Sequence, residues 1–373
     1  METANTKGRR LTVRKDGVPC YDIVYRSSFE DLGQELAALG YTGRQICIVT
    51  DSNVGPLYGE EVRGALADIC RQVPVCVLPA GESNKNLAQV ERICRFLVEH
   101  GIDRSGLILA LGGGVVGDVA GFAASAYMRG IDFIQIPTSL LAQADSSIGG
   151  KTGVDIAMYK NIAGAFYMPR LVYANVSVLA SLDQRQFSSG FAEVMKHGLI
   201  RDEAYYVWLL ENMYEILDRD PETLQSMLYR SNEIKKEIVE RDPLEKGDRM
   251  LLNMGHTIGH AIEKYSGLGL AHGECVALGC VAAAYISWKR DMISKDEYYE
   301  IRDMFVPFGL PITADDLEEE TILKLTRSDK KVRNGILRFV LLRGIGQAVI
   351  DETVSDEEIL AAIHEIHYVE DGE

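Results

Sequence analysis

At 373 residues the chain exceeds the roughly 250–300 at which a single core stops growing, and with 47% hydrophobic and 25% charged residues it is predicted to form two real domains with a cleft between them for a site. A formal net charge of −16 excludes nucleic acid and anionic membrane surfaces as main partners, so any anionic substrate must meet a local cationic pocket. Seven cysteines without a C-x-x-C pair, an opening METANTKGRR with no apolar stretch, and a longest apolar run (Cys275 to Ile286) far short of the ~20 residues a bilayer requires predict a reduced, soluble, cytoplasmic protein.

From Gln45 to about Asn175, short β-branched runs alternate with helical patterns: ICIVT at 46–50, VCVL at 75–78, LILAL at 107–111, FIQIP at 133–137 and LVYA at 171–174. That alternation predicts βαβ units and a largely parallel sheet. Asp51 and Asn53 follow the first run, where an acidic side chain can accept hydrogen bonds from ribose hydroxyls; alone, Asp51 reads equally as a helix cap or turn residue. Glu82 and Lys85 follow the second run. The third leads straight into Gly112, Gly113 and Gly114, after which Val115, Val116, Gly117 and Asp118 open an apolar helix, a turn that suits a pyrophosphate at a helix N-terminus. In DSSIGGKTGVDIAMYKN, Gly149, Gly150 and Gly153 surround Lys151, with Lys160 and Asn161 further on; glycine flanks let a lysine and backbone amides converge on an anion, against the alternative of a flexible surface loop.

From about Asp183 the texture becomes helical, as in AYYVWLLENMYEIL and TLQSMLYRSNEIKKEIV, so the boundary is drawn at 182/183. Glu193 and Lys196 are three apart on one predicted helix face. Lys235, Glu245, Arg249 and Asn253 lead into a histidine segment, each alone readable as a solvated flank or, for Glu245 with Arg249, an i,i+4 helix pair. His256 and His260, spaced by four, share a helix face that suits zinc, and His272 adds a third imidazole; spacing leaves the choice among them open. Asn334-Gly335 signals a hairpin between KKVR and ILRFVLL, and DEEILAAIHEI a last helix.

Together, TDSNV, GGGVVGDVAGFAASAYMRG, FIQIPTSLLAQADSSIGGKTGV, KNIAGAFYMPR, FAEVMKHGLI, NMGHTIGHAIEKYSGLGLAHGECVALG and DKKVRNG resemble, in order and over roughly residues 45–350, the 3-dehydroquinate synthases, a branch of the sugar-phosphate cyclases. The resemblance implies an α/β Rossmann-like NAD-binding domain (1–182), an α-helical zinc- and substrate-binding domain (183–373), and a site between them in a homodimer. It makes Glu193, His256 and His272 the ligands of zinc, with cobalt as the alternative metal, and moves His260 to a catalytic role alongside Lys151, Lys196, Glu245 and Asn253. NAD would contact Asp51, Asn53, Glu82, Lys85, Gly114, Val115, Val116, Gly117, Asp118, Thr138, Ser139, Lys151, Lys160, Val178, Leu179, Ala180 and Ser181. Asp145, Lys151, Asn161, Lys196, Lys235, Glu245, Arg249, Asn253 and His260 would surround the substrate, with Lys330 or Lys331, and with Arg129 reaching across from the partner subunit. Ser139 stands where the family usually has threonine and Tyr159 where it commonly has glycine. The implied reaction takes 3-deoxy-D-arabino-heptulosonate 7-phosphate to 3-dehydroquinate and phosphate through transient NAD oxidation, elimination, reduction and aldol closure. A deoxyinosose- or valiolone-type cyclase, a metal-dependent polyol dehydrogenase and a noncatalytic binding protein are the competing readings.

Overall fold

Runs that are apolar at every position cannot leave either face in water, so they require a sheet covered on both sides. The structure, a computed structural model, describes residues 9–368 except 158, 244, 246, 268 and 328–336. Its strands are β1 (Arg10–Lys15), β2 (Val18–Arg26), β3 (Ile46–Asp51), β4 (Val75–Leu78), β5 (Leu107–Gly112), β6 (Asp132–Pro137), β7 (Lys151–Ile156), β8 (Tyr159–Phe166) and β9 (Leu171–Asn175). Seven of them form one sheet in the order β1-β2-β9-β6-β5-β3-β4, with β1 antiparallel to β2 and the other pairs parallel. Side chains alternate between two cores. Ile46, Ile48, Leu107, Leu109 and Leu111 pack with helices α1 (Leu32–Ala38) and α2 (Gly55–Ala65) on one face; Cys47, Val49, Ile108 and Ala110 pack with α3 (Leu87–Glu99) and α4 (Gly114–Ala126) on the other. The segment expected as a glycine-flanked lysine loop is instead the antiparallel β7–β8 hairpin, and Lys151 is its first residue.

The chain divides into two compact units, one running to Leu182 and including Arg219–Lys236, the other comprising Asp183–Asp218 and the residues from Glu237 on. Arg219–Lys236 lies within the helical texture of the C-terminal half, yet its polar groups are spent in the first unit. Asn232 Nδ2 donates to Tyr25 Oη (2.9 Å) and the Gln143 carbonyl (3.0 Å), and Lys235 Nζ meets Asp145 Oδ1 at 2.5 Å.

In the second unit the helices are α5 (Gln184–Arg201), α6 (Glu203–Glu211), α7 (Met213–Leu217), the end of α8 (Pro221–Arg241), α9 (His256–Ser266), α10 (His272–Lys289), α11 (Lys295–Asp303), α12 (Glu319–Arg327) and α13 (Asp356–Glu365). Asp183 starts α5 by accepting the Gln186 N–H at 2.9 Å. Glycine brings α5, α9 and α10 to backbone contact: a β-carbon on Gly273 would lie 2.0 Å from the Ser189 carbonyl oxygen, and one on Gly259 2.5 Å from that of Cys275. Strands β10 (Phe339–Leu342) and β11 (Ala348–Asp351) form an antiparallel hairpin; the turn expected at Asn334-Gly335 and the KKVR strand before it lie outside the described residues. All seven cysteines are free, and no described helix is long and apolar enough to cross a membrane.

Candidate functional site

Two clusters of functional side chains stand out, one in each unit. In the second unit, Glu193 comes from the middle of α5, while His256 and His272 are the first residues of α9 and α10. Opening a helix sends each imidazole back past the N-terminus, away from the helix body. Glu193 Oε1 lies 3.4 Å from His256 Nε2 and 3.4 Å from His272 Nε2, and the three ligand atoms lie within 4.8 Å of one another. Atoms about 2.0–2.2 Å from one tetrahedral zinc lie about 3.3–3.6 Å apart, so these edges fit a single ion. Glu193 is completely buried; its Oε2 is ion-paired to Lys196, but its Oε1 makes no hydrogen bond, an orphaned acceptor that a cation would satisfy. The remaining ring nitrogens face acceptors, His256 Nδ1 to the Met254 carbonyl at 3.1 Å and His272 Nδ1 to Glu263 Oε1 at 3.4 Å, which leaves both Nε2 lone pairs for a metal.

Electrostatics agree with the geometry. Burial would raise the Glu193 carboxyl, but Lys196, His256 and His272 hold it well below the usual range. Burial would lower His272, yet the carboxylates of Glu193 and Glu263, 3.4 Å from its two nitrogens, push it up to about 9.

His260, one turn beyond His256, is set edge-on to it with ring centroids 4.8 Å apart, and falls into a second grouping with Glu263 and His272. The donor set around Glu193 thus excludes His260, although an i,i+4 spacing suggests the pair. Lys196 is buried and ion-paired to Glu193 Oε2. Asn253 Nδ2 donates to Glu245 Oε1 at 2.9 Å, and buried Arg249 donates to the Pro243 carbonyl at 2.8 Å. Glu245 has a φ of 57° and Asp248–Asn253 is a 3₁₀ turn, so the helical Glu245–Arg249 pair weighed from sequence does not apply.

In the first unit the predicted nucleotide residues gather at strand ends. No side chain caps the N-terminus of α4, which begins at Gly114 directly after β5, leaving it open to a phosphate. A β-carbon on Gly113 would stand 3.4 Å from Ser139 Oγ and one on Gly114 3.1 Å from Ser146 Oγ, so the turn lies against the residues that follow β6. Buried Lys85 pairs with Asp118 at 2.7 Å, and Lys160 with Glu82 at 3.7 Å. Asp51 Oδ1 accepts from the Asn53 and Val54 N–H groups at 2.9 Å each, a turn-forming use of that carboxylate. Thr138 is buried, its N–H donating to the Gly112 carbonyl. Val116, Val178 and Leu179 are buried too, with Val116 and Val178 in the two cores, whereas Ala180 and Ser181 are exposed. Asp145, paired to Lys235, sits in a one-turn π-helix, Ala142–Ser146, of the kind often found at functional sites. Lys151 and Asn161 are exposed on the hairpin, where the Asn161 N–H donates to Asp155 Oδ1 at 2.7 Å. Met128 and Arg129 are consecutive non-glycine residues at positive φ (48° and 67°), a strained backbone that carries the exposed Arg129. Lys330 and Lys331 lie outside the described residues. A groove of about 550 Å³ along α2 and the edge strand β4, lined by Ser52, Gly59, Arg63 and Val75 among others, includes none of the predicted site residues.

Two partners escaped the sequence reading. Glu263 is seven residues after His256 on α9, a spacing that puts both on one face. Arg185 clamps Glu274 through two 2.7 Å contacts, and Glu274 accepts the Ala271 N–H at 2.7 Å, fixing the backbone that enters His272; no local pattern announces that link.

Residues 75–189 match the family described as 3-dehydroquinate synthase N-terminal, and residues 190–332 that described as 3-dehydroquinate synthase C-terminal. The chain is 41% identical to the 3-dehydroquinate synthase of Acetivibrio thermocellus over 92% of this chain and 95% of that one. It is 47% identical to that of Acidithiobacillus ferrooxidans over 82% and 84%. Among solved structures, 2-epi-5-epi-valiolone synthase from Streptomyces hygroscopicus subsp. jinggangensis, determined with NAD+ and Zn2+ bound, is 28% identical with a TM-score of 0.86, covering 96% of this chain and 99% of that one. A 2-deoxy-scyllo-inosose synthase, 24% identical with a TM-score of 0.84 over 96% and 100%, shares the fold. A mostly parallel sheet flanked by helices, followed by a helical unit, is the fold this chain shares with the sugar-phosphate cyclases. Within that class, the chain belongs to the 3-dehydroquinate synthase family.

Proposed function

We propose that the chain is a 3-dehydroquinate synthase, a lyase that converts 3-deoxy-D-arabino-heptulosonate 7-phosphate to 3-dehydroquinate and inorganic phosphate with NAD and zinc, or cobalt in its place. The observation that carries the reading is the Glu193–His256–His272 donor set, centred on the buried Glu193, in a chain of this family. When bound, the metal supplies Lewis acidity to two neighbouring substrate oxygens and NAD a hydride acceptor that is restored within each turnover.

The chain's own residues do the rest. The open N-terminus of α4, Gly114 to Asp118, receives the pyrophosphate; Asp51, Asn53, Glu82, Lys85, Thr138, Ser139, Lys151, Lys160 and Val178 to Ser181 hold the remainder of the dinucleotide, with Val116 and Val178 offering backbone rather than side chain. Lys151, Lys196, Lys235, Arg249 and Lys330 oppose the substrate's carboxylate and phosphate, the local cationic surface that a chain of net charge −16 needs. Asp145, Asn161, Asn253 and Glu245 orient its hydroxyls. His260, the cluster imidazole outside the donor set, takes the proton of the C5 hydroxyl as the hydride leaves. Arg129 reaches the phosphate from the other subunit of a homodimer, and the enzyme works in the cytoplasm.

The test is to supply heptulosonate 7-phosphate, glucose 6-phosphate, sedoheptulose 7-phosphate and glycerol separately, following phosphate and reduced cofactor together. Phosphate release from the heptulosonate with catalytic NAD is expected. Stoichiometric NADH from glycerol, or faster phosphate release from either of the other sugar phosphates, would overturn the assignment.

A further inference from the structure

We propose that Glu263 is a positioning residue that fixes His272 as a metal ligand by accepting its Nδ1–H, an inference that rests on the zinc site proposed above. His272 is flanked by carboxylates on its two nitrogens, Glu193 Oε1 3.4 Å from Nε2 and Glu263 Oε1 3.4 Å from Nδ1. The two nitrogens of an imidazole point in divergent directions, so a cation on the Nε2 side is beyond the reach of a carboxylate on the Nδ1 side. Glu263 therefore acts on the ion through the ring. Its hydrogen bond selects the tautomer with the lone pair on Nε2, sets the ring plane and makes that nitrogen a better donor.

The setting supports the role. Glu263 is a carboxylate only 8% exposed, and a buried anion persists where it has a specific partner. The backbone of His272 is held on both sides, at Ala271 by Glu274 and Arg185 and at Gly273, whose N–H donates to Ser189 Oγ at 2.9 Å, so what remains to be set is the ring. His256 has a main-chain acceptor, the Met254 carbonyl, for the same purpose. Glu263 gives His272 the side-chain equivalent from the face of α9 that also carries His256 and His260.

The experiment measures zinc affinity by chelator competition, and zinc stoichiometry by elemental analysis, for the wild type, Glu193→Ala, Glu263→Ala and Glu263→Gln, with thermal melting of the metal-free proteins as a folding control. Glu263→Ala is expected to bind zinc roughly 10–100-fold more weakly. Glu263→Gln, whose amide oxygen still accepts the Nδ1–H, recovers most of that loss. Glu263→Leu, which fills the volume but accepts no hydrogen bond, replaces the alanine variant if that one fails to fold. Alanine or leucine variants that bind zinc as tightly as the wild type overturn the proposal, and so does a glutamine variant as weak as the alanine one. A wild type with two zinc ions per chain that falls to one in Glu263→Ala overturns it in a different way, by making Glu263 a ligand with His260 and His272. A wild type that binds no zinc, matching Glu193→Ala, refutes instead the metal site on which the proposal rests.

Discussion

Gly279 on α10 faces the backbone of Gly255 so closely that a β-carbon added to it would lie 1.8 Å from the Gly255 carbonyl oxygen. Gly255 is itself held at a φ of 77°, and its own β-carbon would meet the Val276 carbonyl oxygen at 2.7 Å. The residue after Gly255 is His256, so this contact sets where a proposed metal ligand begins. Gly279→Ala is expected to cost about 1–3 kcal/mol in urea unfolding, because backbone has no rotamer with which to yield. It should also weaken zinc binding; a variant with unchanged zinc affinity would show that α9 adjusts independently of α10.

For the metal itself, Glu193→Ala, His256→Ala and His272→Ala are each expected to lose zinc by elemental analysis. Glu193→Ala in addition leaves the buried Lys196 ammonium without this carboxylate, a destabilisation of about 3–5 kcal/mol. His260→Ala should keep one zinc while losing at least about 10²-fold in turnover, the usual scale for a lost acid-base group. Zinc loss on that change would put His260 back among the ligands.

The strained Met128–Arg129 loop bears on the proposed dimer. Mixing inactive Arg129→Ala with inactive Lys151→Ala is expected to regenerate activity, since a heterodimer pairs one intact site with one doubly damaged site. If subunit exchange is demonstrated by mass and activity stays absent, Arg129 serves its own chain.

Acid stability should depend on Arg290, at the C-terminal end of α10. Its guanidinium meets Glu358 at 2.5 and 2.6 Å and Asp351 at 3.1 Å, joining α10 to α13 and β11. The Arg290 hydrogen bonds lower the Glu358 carboxyl below its ordinary 4.5. Burial would raise Asp351, but the Thr353 amide and hydroxyl and Arg290 hold it below 3.8. Both folded values are depressed, so the stabilisation is present above the unfolded values and disappears as pH falls through the folded ones. Arg290→Met should cost about 1–2 kcal/mol near pH 7, the pair being partly solvated, and less at pH 3. Melting profiles from pH 3 to 7 check this; parallel wild-type and variant curves would exclude it.

Legibility in the sequence followed burial. Strands β3, β5, β6 and β9 are covered on both faces and appear as largely apolar runs, with Gln135 the polar member in the middle of β6. Strands β1 and β2 pair antiparallel at the sheet edge, mix Arg10, Thr12 and Asp22 with apolar residues, and carry no such run. The β7–β8 hairpin was hidden by the very glycines that permit it: a β-carbon on Gly164 would lie 2.1 Å from the Thr152 carbonyl oxygen, so the two strands need glycine where sequence rules expect a loop. Histidine spacing suggests a metal but leaves the donor set open. Membership in the donor set is decided by where α9 and α10 begin and by a glutamate more than sixty residues earlier, and both are tertiary facts. Family resemblance, not spacing, singled out Glu193.

The return of Arg219–Lys236 to the first unit has a consequence for biosynthesis. When Leu182 has left the ribosome the sheet strands are all present, yet the Gln143 carbonyl and Tyr25 hydroxyl still await Asn232, and Asp145 awaits Lys235. A nascent chain must therefore hold an incomplete nucleotide fold while α5, α6 and α7 are synthesised, and cutting the gene at the apparent boundary yields a fragment lacking its own closing helix. A self-sufficient version of this unit would need Arg219–Lys236 joined directly after Leu182, a rearrangement of the chain's order rather than a truncation of its length.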